Sequence, residues 1–126
     1  MRALFAVLLF IHAAAHAAAF MSAVGLGPRL LPPVLRDRAT TFDTGELGSS
    51  LLGLCWAALS IALLVAAFGA FALPPWWATY SAVVLVSSLC LSLIEWRVCL
   101  AARLCVVANA VLLSILWSSH LLDLVL

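Results

Sequence analysis

The chain has 126 residues, 67% of them hydrophobic, and carries six basic and five acidic side chains for a net charge of +1. An ordinary soluble domain is about 45–50% apolar, so the excess here has to face lipid or a large permanent partner, and a water-soluble globule is excluded. All six basic residues are Arg and they form no polybasic patch, which argues against DNA or RNA as partners.

A membrane span needs about 20 apolar residues, rising 1.5 Å each, to cross about 30 Å of hydrocarbon. Four runs meet that length. The first covers 3–24 and is interrupted only by His12, His16 and Ser22. Its Arg2, the apolar stretch Leu4 to Ile11 and the small-residue triplet Ala15-His16-Ala17 loosely imitate a signal peptide. The apolar run nevertheless continues through Phe20 to Val24, so it is read as a retained span. A polar loop, 25–50, follows, with Pro28, Pro32 and Pro33 near its start and the charges Arg29, Arg36, Asp37, Arg38, Asp43 and Glu46. The second span, 51–71, has Trp56 and Ser60 as its polar side chains. The prolines of Leu73-Pro74-Pro75-Trp76-Trp77 break the helix, and the paired Trp residues suit a headgroup boundary, so this stretch is read as a tight interfacial hairpin. The third span is 76–94. Glu95-Trp96-Arg97 through Arg103 makes a short polar turn, and the fourth span is 104–122, with an earlier start near Val98 drawing Arg103 inside. The expected fold is an all-α integral membrane bundle of four transmembrane helices, one membrane domain over 1–126.

Five Arg residues (Arg29, Arg36, Arg38, Arg97 and Arg103) lie on one face and Arg2 alone on the other, which favours both termini outside, while the signal-like amino end pulls the other way, since a first helix preceded by Arg often enters with that Arg inside. Helices in lipid associate through close backbone approach and hydrogen bonds, which favours small residues four apart. Candidate pairs are Ala15 and Ala19, Gly53 and Ala57, Ala66 and Ala70, Ser88 and Ser92, and Ser114 and Ser118. Cys55, Cys90, Cys99 and Cys105 include no pair at redox or zinc spacing and are read as buried small hydrophobes.

Chain order becomes height when four helices alternate in direction. Measured from the face bearing the charged loop, His16 lies about 12 Å deep, Trp56 and Asn109 about 8 Å, and Ser88 about 9 Å. Groups of this kind turn inward within hydrocarbon and satisfy one another. A polar cluster inside the bundle is therefore expected, capped by Glu95 and Arg103 nearer the surface. The candidate ligand-binding set is His12, His16, Trp56, Ser88, Glu95 and Asn109. His12 and His16 share one helix face, a spacing that holds a metal if Glu95 completes the set; without the rest of a metal motif, no metal or other cofactor is assigned. His120 lies near the opposite membrane face from His16, which argues against haem between them, and it pairs with Asp123 three residues on.

Several of these residues carry a resemblance. The run His16-Ala17-Ala18-Ala19-Phe20 with Gly25 beyond it, Gly53-Leu54-Cys55-Trp56-Ala57-Ala58-Leu59, the Trp76-Trp77 pair, Ser88 eight residues before Trp96, and Asn109 resemble a family of small bacterial four-span membrane proteins that has no assigned reaction. The resemblance covers about His16 to Leu113. The longer charged loop, Glu95 in place of a small polar residue, and the stretch around Cys99 to Arg103 depart from that pattern. It implies a four-helix protein of the bacterial plasma (inner) membrane. The functional expectation is a non-enzymatic protein that binds a lipid or small apolar molecule, or an accessory subunit of a larger membrane complex, self-associated or with other chains. Two alternatives stay open. One is a metal or redox enzyme using His12, His16 and Glu95; the other is a transporter or channel component using Glu95 and Arg103.

Overall fold

A computed structural model describes residues 2–23, 45–72, 74–95 and 100–125. Four helices account for them: α1 (Arg2–Ala23), α2 (Gly45–Ala72), α3 (Trp77–Ile94) and α4 (Leu100–Val125). Each contains a stretch long and apolar enough to cross a membrane, and the described residues include no strand. The chain is thus an all-α, multi-pass membrane protein by length and composition. The candidate residues Arg29, Arg36, Asp37, Arg38, Asp43, Trp96, Arg97 and Cys99 lie outside the described residues, as do the side chains of His120 and Asp123.

Neighbouring helices run antiparallel. Along α1 and α2, Ala6 and Leu9 share a buried cluster with Ala66, Ala67 and Ala70, and nearer the other end the Ser60 hydroxyl donates to the Ala13 carbonyl at 2.9 Å. A hydroxyl reaches a neighbouring helix's backbone only where small side chains let the axes approach; Ala13 and Ala66, exposed by 1% and 0%, supply that. Helix α4 returns along α3, with Leu112 and Leu116 against Val84 and Leu85. The first and third helices run in the same sense, as the edge-on contact of the Phe5 and Trp77 rings, with centroids 6.2 Å apart, shows at one end.

The start of α2 differs from the sequence reading, and that of α4 decides between two expected starts. α2 begins at Gly45 rather than 51, so the last six positions of the predicted loop are helical. Hydropathy marks where the hydrocarbon starts, whereas a helix stops only where its backbone does; 28 residues make about 42 Å, longer than the hydrocarbon is thick. α4 begins at Leu100, close to the earlier of the two starts expected for it, and Arg103 lies inside the helix. The hairpin between α2 and α3 is as tight as its prolines require: the Trp77 amide donates to the Pro74 carbonyl at 3.0 Å and the Tyr80 amide to the Trp76 carbonyl at 2.9 Å. A Cβ on Gly69 would stand 3.3 Å from the Trp77 Cβ, so the missing side chain is what lets α3 start against α2.

The faces presented to neighbours are not all those expected. Ala66, Ala70, Ser88 and Ser92 are buried, but Ala15, Ser114 and Ser118 are exposed. On α1 the inward positions are Phe5, Leu9, His12 and His16, a helical stripe that points Ala15 away. Ser114 and Ser118 donate to the carbonyls of Ala110 and Ser114 in their own helix, both at 2.8 Å; this satisfies a hydroxyl facing lipid. Cys55 and Cys90 are exposed free thiols, against the expectation of burial, and Cys105 is buried. A thiol is apolar enough for either environment.

The interior divides along its length. Phe5, Leu9, Leu63, Leu85, Leu112 and Leu116 form an apolar core towards the Pro-Pro-Trp-Trp hairpin. Apart from Ser81, the buried polar side chains collect towards the other end.

Candidate functional site

Two helices, α1 and α4, send polar side chains to one oxygen on α3. Ser88 sits in the middle of α3 with no exposure, and its Oγ lies 2.7 Å from His16 Nε2, 3.3 Å from His12 Nε2 and 2.8 Å from Asn109 Nδ2. The Asn109 amide closes a ring: its Nδ2 donates to Ser88, while its Oδ1 lies 3.0 Å from His12 Nε2. The His12 and His16 rings meet edge-on with centroids 4.7 Å apart, as their four-residue spacing on α1 requires.

A second layer continues towards the end where α3 finishes. The Trp56 ring lies against that of His16, centroids 4.6 Å apart and tilted by 34°. Its indole N–H donates to Glu95 Oε1 at 3.4 Å. Glu95 is the C-cap of α3, its backbone N–H turned to the Leu93 carbonyl, and it is buried. Arg103 is exposed. The structure therefore gathers His12, His16, Ser88 and Asn109 into one direct network and joins Trp56 and Glu95 to it through ring contact. Each of these six side chains is less than a tenth exposed, in keeping with polar groups in hydrocarbon turning inward.

The metal alternative does not fit this arrangement. Among the described residues no three His, Cys, Asp or Glu side chains are grouped as a metal ion requires. The Nε2 atoms of His12 and His16 both turn to Ser88, and Glu95 meets Trp56 instead. The set His12, His16 and Glu95 is not assembled.

Some members escaped the sequence reading. Ser60 binds α1 through Ala13, and Ser92 donates to the Ser88 carbonyl at 2.8 Å. Among the described residues, neither the hydroxyl of the fully buried Ser81 nor Nδ1 of His16 has a hydrogen-bond partner. The positions 81, 85, 88, 92 and 95 recur at helical spacing, and that stripe of Ser, Leu, Ser, Ser and Glu on α3 was the available signal.

An open groove lies on the outer surface between α1 and α2, nearer the hairpin. It measures about 150 Å³ and is lined by Ala6, Val7, Phe10, Ala67, Phe68 and Phe71. Phe10, Phe68 and Phe71 are all more than half exposed, on a surface that meets hydrocarbon in a bilayer.

No family model, curated protein or solved structure matches the chain.

Proposed function

We propose that this protein is a bacterial inner-membrane protein that binds a lipid or another apolar small molecule, with a role in binding rather than catalysis. The observation that carries this reading is the groove of Ala6, Val7, Phe10, Ala67, Phe68 and Phe71. Small residues at its floor and three phenyl rings at its rim form a concave apolar slot, the kind of surface that takes an acyl or isoprenoid chain. The bacterial assignment is supported by the resemblance of the His16, Trp56, Trp76-Trp77, Ser88 and Asn109 motifs to small bacterial four-span proteins. The buried network suits the same reading, because groups already bonded to one another hold the four helices in register and need no reaction to explain them.

Native mass spectrometry on protein extracted gently from its own membranes tests the proposal. The expected result is a discrete additional mass in the range of a lipid or apolar small molecule, reduced in a Val7→Trp variant whose side chain fills the groove. Val7 is about half exposed, so this variant leaves the core intact. An adduct consisting only of other protein chains would replace the proposal with the accessory-subunit reading. A bare chain, or an adduct unchanged by Val7→Trp, would overturn binding at the groove.

A further inference from the structure

The direction of the hydrogen bonds around Ser88 follows from counting protons. Asn109 Oδ1 only accepts, so His12 carries its proton on Nε2 to reach it at 3.0 Å. Asn109 Nδ2 only donates, and it spends one hydrogen on Ser88 Oγ at 2.8 Å. Ser88 must then place its own proton. Ser87, Ser92, Ser114 and Ser118 give theirs to a carbonyl one turn back in their own helices; Ser88 makes no such bond, and its remaining neighbour is His16 Nε2 at 2.7 Å. That nitrogen is therefore the acceptor, and a neutral His16 carries its hydrogen on Nδ1. The chain of donors runs His12, Asn109, Ser88, His16 and ends on an N–H that is buried and has no hydrogen-bond partner among the described residues.

An unmet donor inside a membrane protein is costly, and its chemistry says what would relieve it. A water there needs two to four polar partners, whereas Ser88, Asn109 and His12 are already committed to one another. An anion would bring an unpaired charge to a site about 12 Å inside the hydrocarbon. A neutral acceptor on an apolar body meets both conditions. We propose that His16 Nδ1 is the recognition atom for a carbonyl-bearing apolar ligand, the shared chemistry of lipid esters and membrane quinones. The inference rests on the reading above that the protein binds an apolar molecule, and adds a polar contact apart from the groove, whose lining does not include His16. The Trp56 ring lies on the face of the His16 ring, whereas the carbonyl meets the Nδ1–H in the plane of the imidazole.

The test uses the full chain, labelled with 15N-histidine, in a maltoside detergent that contains no carbonyl. With only three histidines in the chain, the spectra are assigned by single His→Gln variants. The expected resting state is His12 as the Nε2–H tautomer and His16 as the Nδ1–H tautomer. Three probes are then added in turn: a diacyl phosphatidylcholine, its dialkyl ether analogue, and a short-chain isoprenoid quinone. A carbonyl probe should shift the His16 Nδ1–H resonance, and the ether analogue should bind about tenfold more weakly than the ester lipid. Whether ester or quinone gives the shift identifies the source of the carbonyl. His16 found as the Nε2–H tautomer overturns the inference, as does equal binding of ester and ether lipids with no shift at Nδ1; either leaves the groove proposal standing. Failure of all three probes to bind overturns both.

Discussion

Ser88 and Ser81 occupy the same face of α3, are equally buried, and differ in one respect. Ser88 serves three neighbours, whereas the Ser81 hydroxyl serves none. Replacing Ser88 by Ala leaves both Asn109 Nδ2 and His16 Nε2 without their partner, and an orphaned buried group costs about 1–3 kcal/mol. Ser88→Ala should therefore lower stability by about 1–3 kcal/mol in a detergent unfolding titration. Ser81→Ala removes a hydroxyl that was never paired and should be neutral within about 0.5 kcal/mol or slightly stabilising. The reverse ranking would mean that Ser88 is not the centre of the network. Asn109→Leu is the complementary change. It strips the amide that fixes the His12 tautomer, so the 15N spectrum of His12 should turn from a single tautomer into a mixture.

At the scale of elements, the contact between α2 and the start of α3 depends on an absent side chain. Gly69 faces the Trp77 Cβ at 3.3 Å and the edge of the Trp76 ring at 3.8 Å. The Trp77 Cβ is fixed to the first turn of α3, so it cannot swing aside as a flexible side-chain end would. Gly69→Leu should push the two helices apart and cost about 1–3 kcal/mol, the range for overpacking a tight interface. Ala15→Leu is the control, since position 15 faces outward and an added isobutyl group there meets lipid; its effect should stay within about 0.5 kcal/mol. Equal losses in the two variants would show that α1 packs through the Ala15 and Ala19 pair after all.

At the scale of the whole molecule, four antiparallel helices return both ends of the chain to one side. By the sequence count, five of the six Arg residues fall in segments on the opposite side, and the positive-inside rule then predicts that the termini lie outside. Alkaline phosphatase fused after Leu126 should be active, and a green fluorescent protein fused at the same point should be dark. A fluorescent fusion would reverse the orientation, and termini reporting opposite sides would contradict four spans. Leu9, Leu63, Leu85 and Leu112 fill the hairpin half, and the network of His12, His16, Ser88 and Asn109 fills the other.

The amino-acid sequence determined the number of spans, because hydrocarbon thickness sets the length of an apolar run whatever the helices do next. It also placed His16, Trp56, Ser88 and Asn109 at one height, because the rise per residue turns chain position into depth. Rotation about each helix axis was decided by tertiary structure. In water, polar residues mark the outward face of a helix; in lipid an Ala, Cys or Leu is equally at home inside and outside, so the sequence carries little signal for facing. Ala15, Cys55, Cys90 and Ser114 turned out to lipid for that reason, while Ala13 and Ser60 turned in. The shared oxygen of Ser88, the contact of Trp56 with both His16 and Glu95, and the unpartnered Nδ1 of His16 all depend on how three or four helices rotate against one another, which no single helix encodes.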